Sequence, residues 1–148
     1  MPAGDLVIAD YQVELRGVLV GGAGGTARIG PPGIGGLGVP TPKSADVSLQ
    51  LADGAYGATD WADVRTVTVP ILIDGTTDGG AWNAFAAHRT AWAASTADIP
   101  LYLRLPGLGR VYCLGRPRGL AEDLSLMPEG IINCLGTFVA LKPALVAA

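Results

Sequence analysis

The chain has 148 residues, a formal net charge of −3, 49% apolar residues and 16% charged ones. It is long enough for one domain with its own core and too apolar to stay disordered. The acidic balance excludes general nucleic-acid binding by phosphate neutralisation. A mean hydropathy of +0.39 comes without any run of about 18 apolar residues that could span a bilayer, so the apolar excess is expected in a core or against other subunits. The amino terminus lacks the basic region and apolar run of a secretory signal, which points to a cytoplasm. In that compartment Cys113 and Cys134 are expected as buried free thiols rather than a disulfide.

In chain order, Asp5 to Gly22 reads as one strand or a strand pair, with Tyr11, Val13 and Leu15 on one face, Gln12, Glu14 and Arg16 on the other, and a bend at Gly17. Residues 21–42 form a long loop rich in glycine and proline. Within it, Gly33-Ile34-Gly35-Gly36-Leu37-Gly38 fits the dinucleotide fingerprint letter by letter. That fingerprint needs a helix opening at its third glycine, and Val39-Pro40-Thr41-Pro42 cannot supply one, so no cofactor is expected. The loop is instead expected to order against a neighbour.

Ala45 to Leu51 alternates as a half-buried strand, and a glycine-rich loop carrying Tyr56 and Trp61 follows. The two aromatics form either a lid on the core or a contact between subunits. Val64 to Ile73 then has the period of two of a long strand, and Asp74 to Gly80 is a turn. A helix is predicted over Ala81 to Ala94 with Asp78 as its N-cap. One stripe of it carries Ala81, Phe85, His88 and Trp92, and packing that stripe on a β structure hides the two aromatics.

Ile99 to Leu105 and Arg110 to Gly115 form a hairpin around Pro106-Gly107-Leu108-Gly109. Leu120 to Leu126 alternates as a further strand, Met127 to Gly130 turns, and Gly130 to Ala140 is the last strong strand, with Ile132, Cys134, Phe138 and Ala140 on one face. Seven or eight strands and one helix predict an α+β domain, mainly β, as a sandwich or barrel.

Catalytic traces are absent from the pattern. His88 has Ala84 and Trp92 four residues away, neither of them a metal ligand or base, and it is expected as a histidine on the helix surface. Glu122 and Asp123 point to opposite faces of a strand, and no Gly-x-Ser-x-Gly elbow occurs. No enzyme activity, metal or cofactor is expected. Arg104, Arg110, Arg116 and Arg118 make the densest basic group, either a solvated sheet face or a surface for carboxylates of neighbouring subunits.

Several short motifs in order resemble one family: Gly36-Leu37-Gly38-Val39-Pro40, Lys43, Asp46, Asp53-Gly54-Ala55-Tyr56-Gly57, Asp60-Trp61, Arg65-Thr66-Val67-Thr68-Val69, Trp92, Pro100 to Gly107, and Gly115-Arg116-Pro117-Arg118. Over about residues 5–142 the chain resembles the amino-terminal domain of distal tail proteins from long-tailed phages of actinobacteria. The resemblance implies a single tail-tube-like domain over 1–148, a β-sandwich or barrel flanked by one helix, with 143–148 as a short tail. It implies a homo-oligomer, a ring of six at the distal end of the tail. The tail tube protein and the tail-tip hub and tape-measure proteins would be its partners, and DNA would pass through the middle. The virion tail, built in the host cytoplasm, would be its location. Contacts between subunits are then expected at Tyr56, Trp61, Arg65, Arg104, Arg110, Arg116 and Arg118. The family usually adds a carboxy-terminal, often galectin-like domain; after Phe138-Val139-Ala140 no counterpart of it is expected, and its receptor binding is not carried over. Alternatives are a tail tube or tail terminator ring subunit and, from another class, a carbohydrate-binding β-sandwich using Tyr56 and Trp61.

Overall fold

A computed structural model describes residues 4–22, 25–39 and 63–148, together with the backbone of residues 42–43, 47–48, 55–56 and 61–62. The strand predicted at Ala45 to Leu51 falls within this description only at Val47 and Ser48. The side chains of Tyr56 and Trp61 lie outside the described residues.

Strands β1 (Gln12–Leu15) and β2 (Val18–Val20) form a hairpin, the strand pair of the two predicted alternatives. Arg16 and Gly17 both have positive φ, 50° and 78°, as a two-residue turn with the twist of the flanking strands requires. Strand β3 (Ala27–Ile29) lies within the stretch expected as loop. Two short antiparallel pairs follow, β4 (Pro42–Lys43) with β7 (Trp61–Ala62) and β5 (Val47–Ser48) with β6 (Ala55–Tyr56). Then come the long strand β8 (Arg65–Asp74), helix α1 (Asp78–Ala91), β9 (Ile99–Leu105), β10 (Gly109–Asp123) and β11 (Ile131–Ala147).

Seven strands make one sheet in the order β2-β1-β9-β10-β11-β8-β3. Its two edges approach each other, where the Gly21 N–H donates to the Ala27 carbonyl at 2.9 Å. The sheet is therefore a nearly closed barrel, and the fold is mainly β with one helix. Val67, Val69, Ile71 and Ile73 of β8 face inward beside Ile132, Cys134 and Phe138 of β11, with Leu101, Leu103, Val13 and Leu15 across from them. Phe85, Ala91 and Trp92 join the same cluster. Each large apolar side chain so buried contributes about 1.5–3 kcal/mol.

Four local expectations are corrected. The helix starts at Asp78, and its N-cap is Thr77, whose hydroxyl accepts from the Gly80 N–H at 3.0 Å. Glycine at 80 serves a close approach rather than a break, since a Cβ there would sit 2.4 Å from the Gly75 carbonyl oxygen. Tyr11 does not share a face with Val13; its φ of 62° turns it out of the strand and leaves it exposed. No separate strand spans Leu120 to Leu126. β10 runs unbroken to Asp123, whose carboxylate accepts from the Ser125 N–H and turns the chain, so Leu124 and Leu126 are exposed. The last strand continues past Ala140 to Ala147, through most of the expected tail.

Candidate assembly surface

Among the described residues the inner face of the barrel offers no open chemistry. Burial pushes the Cys113 thiol up to about 11, only partly opposed by the charge of Arg65, and the Cys134 thiol up to about 12. Both are free and buried, as the sequence predicts. His88 corrects the expectation of a surface residue: it is 4% exposed, and its Nδ1 has no hydrogen-bond partner. Burial holds its pKa below the ordinary value. The helix stripe in which the sequence places it, between Phe85 and Trp92, is the face that packs on the sheet. Among the described residues no group of three or more His, Cys, Asp and Glu is placed to hold a metal.

The amino-terminal segment occupies the outside of β1. The buried Glu14 carboxylate accepts from the Gly4 and Leu6 N–H groups at 3.0 and 3.3 Å, and Gln12 Oε1 accepts from Ile8 and Ala9, both at 2.8 Å. Sequence reading put these two polar residues only on the face opposite Val13 and Leu15, without a cover. The apolar run Leu6-Val7-Ile8 was the signal that something covers them, and Val7 is 1% exposed.

This segment also decides where two of the arginines, Arg104 and Arg110, go. Arg104 Nε donates to Asp10 Oδ1 at 3.1 Å, Arg110 Nη1 donates to the Gly4 carbonyl and lies 3.8 Å from Asp5, and Arg116 Nε donates to Asp98 at 3.1 Å. These pairs are half-exposed and individually weak. Arg118 is exposed and has no ion pair among the described residues. Arg65 is buried at the end of the inner face. Its Nε donates to the Pro143 carbonyl at 2.8 Å, and its Nη1 donates to the Gly36 and Gly38 carbonyls. It thus ties the end of β11 to residues 36–38 of the same chain.

Residues 30–36 continue β3 along the β8 edge. The Gly30 N–H donates to the Pro70 carbonyl at 3.0 Å, and Gly35 and Thr68 exchange hydrogen bonds. Pro31 and Pro32 bulge from this edge and form one wall of an open groove of about 550 Å³ on the outer face. Pro70, Leu72 and Leu135 line it, and Glu122 and Asp123 form the opposite rim. β9 covers β10 only as far as Gly115, so among the described residues Arg116 to Asp123 has β11 as its single partner strand. Pro117 and the register shift beside Gly119 blunt that edge. The surface can bury apolar area and pair charges; among the described residues it holds no nucleophile activated by a base.

No protein-family model matches this chain, and no curated protein matches it. Several solved structures share its fold, among them three at 13% identity and a TM-score of 0.63. One is the Dit (gp 19.1) protein of SPP1, described as a paradigm of the hub adsorption apparatus in phages infecting Gram-positive bacteria, matched over 83% of this chain and 47% of that one. The others are the phage p2 baseplate in its activated conformation with strontium and with calcium, matched over 90% and 89% of this chain and 44% of each of those. The chain spans less than half the length of the structures it resembles.

Proposed function

We propose that this chain is a structural protein of a phage tail, a ring subunit at the distal end of the tube. The fold it shares with a phage hub protein and a phage baseplate over more than four fifths of its length carries this reading. Six copies around the tail axis form the ring, joining the tube to the hub and tape-measure proteins of the tip, with DNA as passing cargo. The half-covered β10 edge, the Gly30–Pro32 wall and the open Arg118 face neighbouring copies, and Tyr56 and Trp61 belong to the same contact set. The net charge of −3 suits a channel past which DNA must slide without adhering. A structural part needs no catalytic group, and we assign none.

Mass measurement of the purified chain, together with cryo-EM of the particle that contains it, tests the reading. Six copies in one ring at the tail tip are expected. Dozens of copies along the tail would make it a tube subunit instead. A monomer at high concentration that is absent from particles would overturn the proposal.

A further inference from the structure

Residues 4–10 are folded back over the outer face of β1 by contacts that a second copy could supply as well as the chain itself. The far end is held at long range: the buried Glu14 carboxylate accepts from the Gly4 and Leu6 N–H groups, and Arg110 donates to the Gly4 carbonyl and lies 3.8 Å from Asp5. Gly4 lies close against the Tyr102 ring, where a Cβ would stand 2.6 Å from it. The near end is held only locally, by Gln12 accepting from the Ile8 and Ala9 N–H groups.

Tyr11 joins this segment to β1 with a φ of 62°, a region that a bulky side chain rarely occupies. Arg16 has its positive φ in a two-residue hairpin turn, where the strand twist requires it; Tyr11 closes no hairpin. Returned to the extended region, Tyr11 would continue β1 and carry residues 4–10 about 23 Å past its end. Ile8 and Tyr11, 74% and 59% exposed, leave two large apolar side chains uncovered at this bend.

We infer that the outer face of β1 and β9 is a docking surface for the amino-terminal segment of a second copy, and that neighbouring copies exchange these segments on assembly. Complementarity names the occupant: residues 4–8 already fit Glu14, Arg110 and Tyr102, and the same contacts form whichever chain provides them. Exchange adds the release of the Tyr11 backbone and a place between two copies for Ile8. Such swapping is a low-cost route to association, and a short hinge under strain invites it. The inference rests on the ring reading, since a segment handed from each copy to the next is a head-to-tail contact of the kind that closes a ring.

The test uses the full chain carrying Asp5→Cys and Arg110→Cys together, treated with a short bis-maleimide. The two side chains are 40% and 34% exposed and their pair is weak, so folding and assembly are retained, as thermal melts and light scattering check; Cys113 and Cys134 are buried away from the reagent. Links from chain to chain, seen as a ladder on a denaturing gel, are expected in the assembled protein, and links within single chains at high dilution. Links confined to single chains in an assembled ring overturn the exchange and leave the ring reading standing. A wild-type chain that stays monomeric at high concentration overturns both. Tyr11→Gly gives a second arm: glycine accepts the folded-back bend without strain, so association should weaken at least about threefold. Unchanged association in that variant overturns the part given to the Tyr11 hinge.

Discussion

The two faces of the β8–β11 sheet differ more than any other two regions of the molecule. Inward, every second residue from Val67 to Ile73 and from Ile132 to Ala140 is buried, and each is apolar, a thiol or a glycine. Outward, the intervening residues include Thr66, Thr68, Leu72, Asn133, Leu135 and Thr137, all half-buried or exposed. Strands of period two make this possible, since neighbouring residues are bound covalently yet live in different solvents. Folding stability is concentrated on one face, and the other contributes little to it.

The sharpest way to break this comparison is to truncate one residue on each face of β11. Phe138 is fully buried and Leu135 is 42% exposed. Phe138→Ala is expected to cost about 3–5 kcal/mol, read as a large fall in the urea midpoint. Leu135→Ser should stay within about 0.5 kcal/mol in the isolated chain. Comparable losses at the two sites would mean that both faces carry the fold.

A smaller effect is expected where the helix meets the sheet. A Cβ at Gly136 would stand 2.7–2.8 Å from the Trp92 indole. Gly136→Ala therefore has to displace an indole that is itself 4% exposed, at about 1–3 kcal/mol. Trp92 fluorescence should shift with the substitution. An unchanged spectrum and an unchanged melting temperature would show that the indole has room to move.

His88 gives a pH-dependent test of the inner face. Burial lowers its folded-state pKa below the unfolded value near 6.5, so the native state favours the neutral ring. Its contribution is complete above about pH 6.5 and is lost as the pH falls through the lowered folded value, because the unfolded chain then binds the proton more readily. His88→Leu should flatten the difference in urea midpoint between pH 7.5 and pH 5. An identical slope in the two proteins would place the acid sensitivity elsewhere.

Where a pattern repeats, the sequence is legible. β8 and β11 show their period of two in valine, isoleucine and phenylalanine, and the aromatic stripe of α1 appears at the spacing of a helix. What escapes is set by contacts distant in sequence. Gln12 and Glu14 show in the sequence only as the face opposite Val13, and residues 4–10 fold back over them; β3 looks like loop because its pairing with β8 crosses some forty residues. Arg65 is expected from the sequence as a contact between subunits; in the structure it is buried and donates to three carbonyls from two separate segments of its own chain. The four arginines are legible only as a basic group: Arg104, Arg110 and Arg116 pair with Asp10, Asp5 and Asp98, acids that no local pattern connects to them.

The smallest effect belongs to the outermost pair. Arg104 and Asp10 touch at 3.1 Å with side chains 41% and 42% exposed. Water screens both charges, and ordering two long side chains offsets much of the attraction, so a double-mutant cycle with Arg104→Gln and Asp10→Asn should return a coupling of about 0.2–1 kcal/mol. The coupling should fade in about 0.5 M salt, where the Debye length is shorter than at physiological ionic strength. The amino-terminal segment has a second and drier anchor in Glu14, buried and bonded to two backbone N–H groups. Loss of the Arg104 pair should therefore leave protection of the Gly4 and Leu6 amides against hydrogen exchange nearly unchanged, while Glu14→Gln lowers it. If Arg104→Gln alone releases those amides, the exposed pair rather than the buried carboxylate holds the segment in place.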